Sequence, residues 1–144
     1  MSAKSAAVTS VSIDAAPADL LDRMTVLEIK SERLTNDQQL RNVRAELAAL
    51  RLSRERWIPA TPQLDDFTLQ LRKVNAVLWD LEETVRRCDE AEDFGEAFVR
   101  SARSIIHTNN RRAALKRAIN ALLGADFQEE KSYPLPDPTA AAKT

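Results

Sequence analysis

The sequence predicts an all-α fold: a four-helix bundle, mostly antiparallel, with an extended N-terminal arm and an irregular C-terminal tail. Three observations carry this expectation. Apolar residues recur at spacings of three and four along most of the chain, the period of one helix face. Strand signals are nearly missing, because aromatic residues make up only 5% and β-branched residues do not alternate with polar ones. Helix start and stop residues punctuate the pattern at regular intervals.

Residues 1–13, rich in Ser, Ala, Val and Thr, read as a flexible or extended arm, with Val8 to Ile13 expected to lie extended against the domain. The helical domain is expected over residues 14–133 and a tail over residues 134–144, where Pro134, Pro136 and Pro138 oppose regular structure. Pro17 suits a first helical position, and Asp19 and Asp22 suit the opening turns of a helix running to about Leu34. Its expected inward face is Leu20, Met24, Leu27 and Leu34. Thr35 to Gln38 has the form of a capping box and opens a second helix with the stripe Leu40, Val43, Leu47, Leu50 and Trp57. Thr61 and Pro62 restart the chain as cap and first-turn residues. The third helix carries the clearest seam: Leu64, Phe67, Leu71, Val74, Leu78, Leu81, Val85 and Cys88. Asp93 and Gly95 mark a turn, and a fourth helix follows from about Glu96 to Leu123, with Gly124 as its stop. Helices three and four are long enough to overhang the others, which favours a homo-oligomer, most simply a dimer.

The fourth helix contains the oddity. Phe98, Ala102, Ile105, Asn109, Arg112, Lys116, Ile119 and Leu123 share one face, within about 100° of one another. The ends of this stripe are apolar, but its centre holds an amide, a guanidinium and an ammonium. Burying those groups costs several kcal/mol unless they meet partners. Either carboxylates neutralise them, or a ligand does, or the run His107 to Asn110 breaks the helix with an Asn as a new cap.

Composition narrows the options. A net charge of −1, with 21 basic and 22 acidic residues interleaved, argues against nucleic acid as the main partner, which needs a basic face. Two glycines in the whole chain leave no glycine-rich phosphate loop. One cysteine, Cys88, excludes intrachain disulfides and zinc-finger spacing, and one histidine, His107, excludes a multi-histidine metal site within the chain. No apolar run approaches the length of a signal peptide or a membrane span, so a cytoplasmic protein is expected.

Beside the third helix's seam runs a polar line, Asn75, Trp79, Glu82 and Arg86, confined to about 60° of one face. Glu82 and Arg86 have the i,i+4 spacing of an ion pair, and Glu83 adds a neighbouring carboxylate. Glu28 lies beside the first helix's stripe. Across a bundle these lines would set Glu28, Glu82 and Glu83 against Arg112 and Lys116, with Asn75, Asn109 and Trp79 between them. Carboxylates without histidine or thiolate suit Mg²⁺ or Mn²⁺. Arg and Lys together suit a phosphate, and Trp79 suits a base or sugar face. The competing reading is a non-enzymatic helical scaffold or adaptor whose charges cancel in a salt-bridge network at a helix or dimer interface.

The stretch Leu20-Leu21-Asp22-Arg23-Met24-Thr25-Val26-Leu27-Glu28-Ile29-Lys30 resembles the opening motif of a bacterial and phage all-α domain family of unknown function. So do Asn75-Ala76-Val77-Leu78-Trp79 with Glu82-Glu83 and Arg86, Ala102-Arg103-Ser104, the run Asn109 to Asn120, and the closing Glu129-Glu130-Lys131-Ser132-Tyr133. Members of that family are often encoded near, or fused to, glycosyltransferases and tetratricopeptide proteins. The resemblance implies a setting in surface-glycan or nucleotide-sugar metabolism, a phosphorylated or nucleotide-linked ligand, and a glycosyltransferase partner. It also makes the tail part of the domain, so that Glu129, Glu130, Lys131 and Tyr133 would contribute to the site. Two departures stand out: Glu83 where Asp is usual and Asn110 where Asp is common. The second removes a metal ligand, and whether the domain is an enzyme stays open.

Overall fold

The computed structural model describes residues 7–127, 129 and 130, and within them the chain forms four α-helices in order. They are α1 (Pro17–Arg33), α2 (Asp37–Trp57), α3 (Pro62–Glu90) and α4 (Glu96–Leu123). No strand occurs among the described residues. Residues 7–16 precede the first helix without regular structure, and Val8, Val11 and Ile13 are exposed rather than laid against the domain. Lys131, Tyr133 and the tail over 134–144 lie outside the described residues.

Local chemistry sets the helix ends. Pro17 opens α1. At α2 the cap is Asn36, whose side chain accepts from the Gln39 N–H at 3.0 Å, so the helix begins one residue later than the Thr35 capping box implied. Asn caps as well as any residue, and Asp37 then enters the first turn, where a negative charge is favoured. Thr61 caps α3 as expected, accepting from the Leu64 N–H at 3.2 Å. Gly95 precedes α4, its N–H donating to Asp93 Oδ1 at 3.1 Å. Gly124 ends α4 in the left-handed conformation (φ 64°), and the Ala125 N–H returns to the Asn120 carbonyl. The fourth helix is continuous through His107 to Asn110, so the break considered above does not occur.

Helix α1 is the hub. It packs against α2, α3 and α4, whereas α2 packs at backbone range only on α1. Ala18 with Asn120 and Asp22 with Arg112 show that α1 runs against α4. Two cores follow. Ala18, Leu21, Ile58, Leu64, Leu71, Val74, Leu78, Leu115 and Ile119 form the larger one between α1, α3 and α4. Met24, Leu27, Val43 and Leu47 form the smaller one between α1 and α2. Trp57, expected on the α2 stripe, is 72% exposed, because the next residue, Ile58, turns into the larger core instead. The Arg56 guanidinium lies 5.0 Å from the Trp57 ring centroid.

Helices α3 and α4 each reach about 42 Å, while α1 reaches about 25 Å. The α3–α4 hairpin therefore overhangs α1. No residue is buried in α3 beyond Leu78 or in α4 before Ala113, and the expected seam residues Leu81, Val85 and Cys88 are half-buried there. The boundary between the covered and uncovered halves is where the polar residues collect.

Candidate functional site

Helix α1 buries two faces because it has neighbours on two sides. Leu20, Met24 and Leu27 face α2. Ala18, Asp22, Thr25 and Ile29, spaced four, three and four, are all buried on the other face. This second stripe brings a carboxylate and a hydroxyl into the interior. Asp22 is 6% exposed and Thr25 1%, so each needs a partner.

The partners come from α3 and α4. Arg112 Nε donates to Asp22 Oδ1 at 2.9 Å and Nη2 to Oδ2, a two-pronged pair of the kind that fixes both groups in one plane. Asn75 Nδ2 donates to Asp22 Oδ1 at 2.9 Å and to Thr25 Oγ1 at 2.8 Å. The Thr25 hydroxyl is itself a donor, to the Asp22 carbonyl at 2.7 Å. That chain of donors fixes the Asn75 amide orientation: its NH₂ must face Asp22 and Thr25, leaving Oδ1 on the other side. One turn away, Lys116 Nζ lies 2.9 Å from Asp19 Oδ1 and 3.0 Å from Glu129 Oε2. One turn further, Asn120, 1% exposed, accepts from the Ala18 N–H at 3.0 Å. The Asp22 hydrogen bond, opposed by burial and aided by the charges of Asp22, Glu129 and Glu82, raises the Arg112 pKa. Burial works to lower that of Lys116, but the contacts with Asp19 and Glu129 outweigh it and the net direction is upward.

Beside this network opens a cleft of about 180 Å³. Val26, Ile29 and Leu78 contribute apolar lining, Trp79 an aromatic side chain, and Asn75, Glu82 and Arg112 the polar and charged residues. Asn75 Oδ1 and Arg112 Nη1 take part in no hydrogen bond among the described residues, and neither is a buried orphan. One acceptor and one donor thus remain on two cleft-lining residues whose other side-chain groups are engaged by the Asp22 network.

The sequence-derived residues distribute as follows. Asn75, Trp79, Glu82 and Arg112 meet at the cleft. Arg86 pairs with Glu82 at 3.8 Å, both exposed. Lys116 sits one turn from Arg112 in its own cluster with Glu129. Asn109 is half-buried and outside the cleft lining, and Glu83 and Glu130 are exposed. Glu28 does not face Arg112 or Lys116; it lies 3.3 Å from Arg72, which also pairs with Glu32. Among the described residues, no three His, Cys, Asp or Glu side chains converge as metal ligands. Among the described residues, the carboxylates that neutralise the interrupted stripe are Asp19, Asp22 and Glu129. The resemblance implies Glu129, whereas the sequence marks Asp19 and Asp22 as residues of the opening helical turns and not as partners of Arg112 and Lys116. The four-three-four spacing of Ala18, Asp22, Thr25 and Ile29 was the available signal.

The family model described as "Family of unknown function (DUF6165)" matches residues 11–143. The chain belongs to this family. No curated protein and no solved structure matches the chain. The family match spans all four helices. No helix among the described residues is long and apolar enough to cross a membrane.

Proposed function

We propose that this domain of the family is a small-ligand binding module, with the ligand seated in the cleft beside Trp79. One observation carries the reading: the Asp22 network leaves Asn75 Oδ1 and Arg112 Nη1 unengaged among the described residues, on two residues that line a cleft together with Val26, Ile29, Leu78 and Trp79. Binding pockets combine apolar lining with placed polar groups, and this cleft carries both, in about equal measure. The cleft is smaller than the roughly 300 Å³ of most ligand pockets, so it holds one ring-sized portion of a ligand. The resemblance to domains found beside glycosyltransferases supports a setting in surface-glycan or nucleotide-sugar metabolism. A phosphorylated or nucleotide-linked sugar whose phosphate stays outside the cleft, a glycosyltransferase partner, a homo-oligomer and a cytoplasmic location belong to the same proposal, as does a Mg²⁺ or Mn²⁺ requirement for any chemistry on such a ligand.

A direct test uses the two tryptophans. Trp57→Phe, at an exposed position, leaves Trp79 as the sole reporter. Nucleotides, sugar nucleotides, sugar phosphates and simple sugars, each with and without Mg²⁺ or Mn²⁺, are then screened by emission and thermal shift. A ligand at about 100 times its Kd adds about 2.7 kcal/mol of stability. A flat response across the panel removes the binding reading.

The second reading is a non-enzymatic helical scaffold, and the two-pronged Asp22–Arg112 pair favours it. Such a pair fixes helix positions whether or not anything binds. Under that reading no probe of the panel shifts the melting temperature or the emission of the unaltered domain, and Trp79→Ala costs only the packing of a half-buried side chain.

A further inference from the structure

Resting on the cleft reading above, we infer that the seated group is an uncharged, hydroxyl-bearing ring, a sugar held by its hydroxyls, and that phosphate is kept out of the cleft. The sequence suggested the reverse, a phosphate clamp made by Arg112 and Lys116. Geometry removes the clamp. Arg112 commits Nε and Nη2 to Asp22, and Lys116 is held between Asp19 and Glu129 with its side chain only 13% exposed.

Charge points the same way. Among the described residues, four carboxylates stand around these two cations, on Asp19, Asp22, Glu82 and Glu129. Adding Arg86, the partner of Glu82, still leaves the cluster negative by one. A phosphate entering beside Glu82 would meet like charge at the cleft's rim, and like-charge juxtaposition is unfavourable. A neutral ring meets no such penalty. Its hydroxyls can donate to Asn75 Oδ1 and Glu82 and accept from Arg112 Nη1, since a hydroxyl is both donor and acceptor. Its C–H face can cover the Trp79 ring, and its apolar edge can rest on Val26, Ile29 and Leu78. The volume, equal to that of about six waters, admits one ring and not a chain of them.

Ligand-detected saturation-transfer NMR on the full chain is the test, with methyl hexopyranosides, the matching sugar phosphates and inorganic phosphate as probes. A neutral glycoside should show saturable transfer with an affinity that changes less than twofold between low and high salt. Trp79→Ala should weaken it at least tenfold, while Trp79→Phe should retain most of it. Glu82→Lys, at the exposed rim, should bring the sugar phosphate up to or beyond the neutral glycoside. Tighter binding of the sugar phosphate or of inorganic phosphate to the unaltered chain would overturn the ligand class and leave the cleft reading standing. Glycoside transfer undiminished in a folded Trp79→Ala variant would overturn both, whereas silence from every probe would overturn the ligand class and leave the cleft reading to the nucleotide panel.

Discussion

At the scale of single residues, Asp22 decides the most. It accepts from Arg112 and Asn75 while almost wholly shielded from water. Removing one member of a buried charge pair leaves the other uncompensated, which typically costs 3–5 kcal/mol. Arg112 is one-third exposed, so the lower end applies: Asp22→Asn should lower stability by about 3 kcal/mol in urea denaturation. Pairing it with Arg112→Leu should recover part of that loss, because the stranded cation is gone. A double variant no better than the single one would show that the pair itself, rather than the stranded charge, supplies the stability.

Lys116 gives a second residue-scale expectation, this one in pH. Its folded pKa is raised above the ordinary value of 10.5. A cation with a raised folded pKa binds its proton more tightly in the native state. The stabilisation is therefore complete below the unfolded lysine value and declines as pH climbs from there through the folded value. The urea midpoint should fall more steeply above pH 10.5 in the natural chain than in Lys116→Met. Equal slopes in the two proteins would remove Lys116 from the account.

At the scale of elements, the helix ends and the stacking of helices were legible to different degrees. Pro17, Thr61 with Pro62, and Gly124 mark ends that depend on local chemistry, and they act where the sequence placed them. Gly124 holds φ at 64°, and a Cβ there would meet nothing within 4 Å. Gly124→Ala should therefore cost only the left-handed backbone penalty, about 1 kcal/mol, read as a small fall in Tm with unchanged helical circular dichroism. A much larger loss would mean that the residues after the helix depend on this turn. The inner stripe of α1 was harder to read, because two of its four members, Asp22 and Thr25, are polar and break the apolar period. Trp57 failed for a related reason: its position on the α2 face is correct, but α2 has a single partner and that partner does not reach it.

At the scale of the whole molecule, stability should be graded. Three helices meet around Leu21, Leu71 and Ile119, while α2 rests on α1 alone and the hairpin beyond Leu78 has no buried residue. Regions with fewer buried contacts open at lower free energy. Amide hydrogen exchange should be slowest at those three residues, faster along α2, and fastest toward the hairpin tip near Phe94 and Phe98. Uniform protection along α3 would contradict this picture, and would point to a surface covering the overhang in solution.

By itself the sequence determined four helices, most of their ends, and the fact that Asn109, Arg112 and Lys116 interrupt a face that should be apolar. It also placed Asn75, Trp79 and Glu82 on one line. These follow from helical period and capping chemistry, which are properties of neighbours along the chain. Only the tertiary structure decided which carboxylates answer Arg112 and Lys116. Asp22 is 90 residues from Arg112 in the chain, and the choice of Asp22 over Glu28 depends on how α1 is rotated between two partners. That rotation is set by burying Leu20, Met24 and Leu27 on one side and Ala18, Leu21 and Ile29 on the other. The spacing of Ala18, Asp22, Thr25 and Ile29 marks that inner face, but only the packing of α1 against α3 and α4 buries it.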